Sequence, residues 1–123
     1  MNKSESLFWS LIAPLTCVLI ISTGQLLFKI ASGHLDFRRP LAEPRGLAIL
    51  AVALALYGLA TLLWVAALRF APLGRLYPIM ALSFLLVPLG GMVFLKEPVS
   101  LPYWGGAALI IAGLVLISRT SAV

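Results

Sequence analysis

Residues 47–68 read LAILAVALALYGLATLLWVAAL, from Leu47 to Leu68 without one charged side chain. Roughly 20 apolar residues in a helix cross the hydrocarbon core of a bilayer, and in lipid the backbone N–H and C=O groups must be paired inside the segment. The stretch meets both demands as a transmembrane helix. Working outward, three further runs have the same character: Phe8 to Ile30, Gly74 to Leu95 and Leu101 to Ser118. The expectation is an all-α membrane protein with four transmembrane helices, forming a single domain over residues 1–123.

Composition agrees. Of 123 residues, 62% are hydrophobic and 11% charged, against roughly 25% charged in an average soluble domain, and the mean hydropathy is +1.09. A soluble fold of this size has no interior large enough for so much apolar surface, and four spans leave no room for a separate catalytic module. Lys3 followed by an apolar run has the look of a secretory leader. The run continues to Ile30, however, and Ser22-Thr23-Gly24 is a poor cleavage site, so it is expected to stay as the first span.

The connections are polar and mostly short. Ser32 to Gly46 is the one loop of any size, with glycines, prolines and charges of both signs. Arg69 to Arg75 and Lys96 to Ser100 are short enough to force antiparallel neighbours; Ser100 reads as the N-cap of the last helix, with Pro102 just inside it. The side holding the termini carries Lys3, Arg69, Arg75 and Arg119, and the other carries Lys29, Arg38, Arg39, Arg45 and Lys96. Four against five is too even for the positive-inside rule to set an orientation.

The decisive chemical feature is what the spans lack. The four acidic residues, Glu5, Asp36, Glu43 and Glu97, all fall in the tail or the junctions. Proton- or cation-coupled transporters commonly keep a carboxylate inside the membrane for ion and substrate to compete over, so a proton-driven cation exporter is disfavoured. Instead the charges nearest the spans are basic: Lys29, Arg69, Arg75 and Lys96. Cations at that depth suit an anionic headgroup, and a guanidinium fits phosphate geometry, although snorkelling alone would also place them there.

Ser22, Gln25 and Lys29 recur at three- and four-residue steps and line one face of the first helix. Such a stripe is either a substrate-facing wall or ordinary interhelical hydrogen bonding. Tyr57, Thr61 and Trp64 repeat the spacing on the second helix, where an aromatic belt is the simpler account. Pro78, Pro88 and Gly90-Gly91 should kink or loosen the third helix, marking it as a moving or substrate-lining one. Gly105 and Gly113, with Ala108 and Ala112 nearby, allow close approach of the fourth helix to another subunit or to its own third helix. No catalytic nucleophile arrangement is visible; a lone Cys17 and a lone His34 suggest no metal site and no cofactor.

These residues carry a resemblance. Leu76-Tyr77-Pro78, Phe84 to Leu95, Lys96-Glu97-Pro98-Val99-Ser100, and Trp104-Gly105-Gly106 through Gly113 to Ile117 resemble the closing half of small four-helix members of the drug/metabolite transporter superfamily. Gly24-Gln25-Leu26-Leu27-Phe28-Lys29 fits the same group. Within it the chain is most like the small subunits that flip aminoarabinose-linked undecaprenyl phosphate across the bacterial inner membrane during lipopolysaccharide modification. The resemblance implies a small multidrug resistance-like bundle, a non-enzymatic flippase subunit and a polyprenyl phosphate-linked lipid substrate. Four helices provide little wall for such a headgroup, so a homodimer, or a heterodimer with a paralogous subunit, is expected, with no nucleic-acid partner. The chain departs from the small multidrug exporters, whose first helix carries an embedded glutamate: Thr16 to Thr23 holds no acid. Lys29, Arg75 and Arg69 are then the candidates for the phosphate, Gln25 and Tyr77 for the sugar, and Glu97 for the third junction or an amine, with Tyr57 and Trp64 lining the second helix. The alternatives are a cationic-drug exporter of the small multidrug resistance type and a purely structural accessory subunit.

Overall fold

The computed structural model describes residues 1–120. Four helices long and apolar enough to cross a membrane follow one another: α1, Lys3–His34; α2, Pro44–Phe70; α3, Leu73–Phe94; and α4, Leu101–Arg119. The chain is a multi-pass helical protein, as its sequence leads one to expect, and the described residues include no strand.

α1 is longer at both ends than the apolar run from Phe8 to Ile30. Asn2 caps it by accepting the Glu5 N–H at 2.8 Å, which draws the polar start of the chain into the first turn. At the other end Ser32 and His34 bond back to the carbonyls of Lys29 and Ile30, at 2.6 and 2.9 Å, so His34 ends the helix instead of standing in the loop. Two helices depart from regular α geometry, each next to a proline. Phe8–Ile12 is a π-helical turn just before Pro14, which has no N–H for the carbonyl of Ser10. Tyr77–Leu82, containing Pro78, winds as a 3₁₀ helix, and this is where the third helix was expected to break. Pro88 lies inside the regular part of α3.

The closest seam in the molecule joins α1 to α2, and small residues make it. Gly46, Ala53, Ala60 and Ala67 are all buried, and their seven-residue spacing returns to the same face every two turns. From α1 they meet Ala13, Cys17, Gly24 and Ala31, which are also buried. The Cys17 thiol donates to the Ala60 carbonyl at 3.4 Å. A Cβ on Gly46 would lie 2.7 Å from the His34 carbonyl oxygen, so the two backbones touch there. Without a hydrophobic force between helices in lipid, this close packing is what holds the pair.

The fourth helix is different. It packs mainly on the 3₁₀ segment of α3, and a Cβ added at Gly105, Gly106 or Gly113 would meet nothing within 4 Å. Of the two placements open to these glycines, packing against the chain's own third helix is not what the structure shows. Three threonine hydroxyls are settled locally: Thr16, Thr23 and Thr61 each donate to the carbonyl four residues back, at 2.7–2.9 Å, a necessary economy in a medium without water.

Candidate functional site

α1 runs away from the end where α2 and α3 are joined, so Lys29 emerges beside the connection from α3 to α4. That connection is shaped by Lys96, the one non-glycine residue with positive φ among the described residues, at 55°. The left-handed turn folds the chain back over α3, and the Glu97 N–H donates to the Gly91 carbonyl at 3.1 Å. The Glu97 carboxylate then lies across α3: Oε1 is 3.4 Å from Lys29 Nζ, and Oε2 would be 3.6 Å from a Cβ built on Gly91. The two side chains are 61% and 46% exposed, so water screens the pair and its worth is about 0.2–1 kcal/mol. Such a contact holds the groups in place yet is cheap to open.

One turn back along α1, Gln25 Nε2 donates to the Tyr57 hydroxyl. Gly24 makes that bond possible, because a Cβ there would lie 2.6 Å from the Tyr57 ring, while Phe28 stacks on the same ring with centroids 5.1 Å apart. Gln25 also faces α3 and α4 across a small cleft of about 240 Å³ that includes Ser83, Pro88 and Tyr103. Tyr103 donates its hydroxyl to the Phe84 carbonyl at 2.7 Å. Phe84 is four residues before Pro88, whose missing N–H leaves that carbonyl free within the helix. A residue of α4 thus completes the hydrogen bonding of α3, and the two helices are tied there.

The polar stripe on α1 therefore divides by depth. Ser22 is 6% exposed, and its hydroxyl has no partner among the described residues, whereas Gln25 and Lys29 reach the open end of the α1–α3 face. The remaining candidates lie at the opposite end of the molecule. Trp64, with Trp9, packs on the cluster of Ala13, Ala67, Ala71 and Leu76, and the Trp9 ring stacks on Phe70 with centroids 4.8 Å apart. Arg69 and Arg75 are exposed, as is Tyr77 at 64%. From Arg75 to Gly91 along α3 is roughly 25 Å at helical rise, so Lys29 and the two arginines do not converge on one headgroup.

The structure thus gathers Lys29, Glu97, Gln25 and Tyr57 and separates them from Arg69, Arg75, Tyr77 and Trp64. Tyr103 is not evident as a site residue from the sequence, although Pro88 signals a carbonyl at Phe84 that needs a donor from elsewhere. Among the described residues no three of His, Cys, Asp and Glu come together as metal ligands would. What the cluster offers is a cation and an anion side by side, with an amide and a phenol one turn deeper.

The family model described as the EamA-like transporter family matches residues 3–119. The chain is 44% identical over 71 residues to the probable 4-amino-4-deoxy-L-arabinose-phosphoundecaprenol flippase subunit ArnE of Escherichia coli O45:K1 (strain S88 / ExPEC). It is 42% identical over 71 residues to the protein of the same description from Shigella flexneri serotype 5b (strain 8401). Each of these matches takes in 58% of this chain and 64% of the relative's length. No solved structure matches the chain.

Proposed function

This chain belongs to the EamA-like transporter family, and from that premise we propose that it is a subunit of a flippase for a polyprenyl phosphate-linked sugar bearing an amine. The observation that carries the reading is the Lys29–Glu97 pair, 3.4 Å apart and half open to water, beside the Gln25–Tyr57 hydrogen bond. A headgroup with a phosphate and an amine exchanges partners with such a pair: Lys29 takes the phosphate and Glu97 the amine. Gln25 and Tyr57 then offer an amide and a phenol to sugar hydroxyls. The relatives are named for a lipid with both groups, which supports the same substrate class. Charge-assisted contacts of this kind contribute about 1.5–3 kcal/mol each once they replace the screened internal pair.

The role is non-enzymatic: headgroup and tail change leaflets with no bond made or broken. The polar cluster receives the headgroup at one membrane face of a bacterial inner membrane, and a second subunit, a copy of this chain or a paralogue, supplies the rest of the wall. The cleft beside Gln25, about 240 Å³, lies below the roughly 300–1,000 Å³ range of small-molecule sites by itself. Lys29→Gln should lower the rate of aminosugar-lipid flipping in liposomes by about tenfold or more, with insertion and yield as in the native chain. A native rate in Lys29→Gln and also in Glu97→Gln would sink the proposal in favour of an accessory structural role.

A further inference from the structure

At the end opposite Lys29 the three helices α1, α3 and α4 part around a cleft of about 460 Å³, inside the roughly 300–1,000 Å³ range of small-molecule sites. Its wall is hydrocarbon: Leu11 and Leu15 from α1, Pro78, Ile79 and Leu82 from α3, and Leu114 from α4. Both irregular segments contribute to it. Leu11 lies in the π-helical turn, and Pro78, Ile79 and Leu82 lie in the 3₁₀ segment, the kinds of departure that recur at functional sites and hinges.

One charged residue lines the cleft, Arg75. The described residues give it no ion pair, and the neighbouring hydroxyls are already committed: Ser118 donates to Val115 at 2.8 Å and Thr120 to Ile117 at 2.7 Å. The guanidinium is thus the donor left at the rim for an anion. A neutral hydrocarbon would make no use of Arg75, and a water-soluble anion would make no use of the apolar wall. An occupant that satisfies both has a phosphate at one end and a long hydrocarbon chain at the other.

We infer that this cleft is a second lipid station, seating the proximal prenyl units of a polyprenyl phosphate with the phosphate on Arg75. The inference rests on the lipid substrate proposed above but not on its translocation. It also gives the separation of the cations a role: Lys29 and Arg75 serve the phosphate at opposite membrane faces, one at each end of the crossing.

The test is equilibrium binding of undecaprenyl phosphate in nanodiscs to the full chain carrying Lys29→Gln, which leaves the cleft as the one proposed phosphate station, with undecaprenol and inorganic phosphate as comparison ligands. That background should bind the lipid phosphate about tenfold or more tightly than undecaprenol, and adding Arg75→Gln should lose that margin, while adding Lys3→Gln, a cation of the same end outside the cleft, should keep it. Leu114→Trp and Ile79→Trp, which fill the cleft, should each abolish saturable binding in the Lys29→Gln background. Equal affinity for undecaprenol, undiminished binding when Arg75→Gln is added to Lys29→Gln, or displacement by inorganic phosphate would overturn the inference. Should either filling variant misfold, a polyprenyl phosphate with a diazirine near its phosphate decides the matter on the native chain: labelling of the Leu11 or Leu114 peptides supports the cleft, and labelling confined to α2 rejects it. Binding as expected without flipping in liposomes would sink the translocation reading alone.

Discussion

Glycines in this chain do opposite things according to what faces them. At Gly46 a side chain would run into backbone, the His34 carbonyl at 2.7 Å, and backbone cannot step aside without moving α1 against α2. At Gly58, in the middle of α2, a Cβ would meet nothing within 4 Å. Gly46→Ala is therefore expected to destabilise the protein by about 1–3 kcal/mol, and Gly58→Ala to stabilise it by about 0.5–1 kcal/mol through helix propensity. Unfolding in mixed micelles measures both, and equal shifts in the two variants would contradict the seam described between α1 and α2. Lys96 is the residue-scale counterpart at the site: its left-handed turn sets the Glu97 carboxylate over Gly91 and within reach of Lys29.

Among the elements, α3 is the one whose regularity depends on a neighbour. Pro88 leaves the Phe84 carbonyl without a helical donor, and Tyr103 of α4 fills the role at 2.7 Å. Tyr103→Phe should cost about 0.5–1.5 kcal/mol in the native background. In Pro88→Ala, where an N–H is restored to the helix, the same change should cost measurably less, and a double-mutant cycle reads the difference. Additive effects would show that the two residues are not coupled.

The element scale is also where the sequence is most and least legible. The four spans, the break near Pro78 and the shared face of Gln25 and Lys29 follow from hydropathy and helical spacing alone. The Gly46, Ala53, Ala60, Ala67 repeat is equally plain once sought, but in a chain this rich in alanine a packing seam does not stand out from lipid-facing filler. The partnership of Lys29 with Glu97 is out of reach, since it depends on a left-handed Lys96 that no propensity announces. Grouping Lys29 with Arg69 and Arg75 overlooks the membrane that lies between them, a separation the order of the spans itself contains.

For the molecule as a whole, the distribution of acids governs what can drive transport. No carboxylate lies within the apolar stretches of the four helices, and Glu97 sits at a junction, 46% exposed. A carboxylate in hydrocarbon has its protonation pushed towards neutral pH and can couple to a proton gradient; this chain has none placed to do so. The flipping proposed for this chain should accordingly proceed in liposomes at the same rate with and without an imposed pH gradient. Gradient-driven flipping that disappears in Glu97→Gln would show a junction carboxylate acting as the coupling group and would reverse this conclusion.

The helices are also unequal, and bilayer thickness then becomes a variable the protein must answer to. At 1.5 Å per residue, the 27 residues of α2 extend about 40 Å, and the 19 of α4 only about 28 Å. Against a hydrocarbon core of roughly 30 Å, α2 must tilt or protrude while α4 barely reaches across. Thickening the membrane pulls on the shortest helix first, and α4 is held mainly by the 3₁₀ segment of α3 and by Tyr103. Longer acyl chains should therefore loosen α4 before they disturb the α1–α2 seam, which hydrogen exchange in nanodiscs of increasing chain length would register as faster exchange confined to residues 101–119.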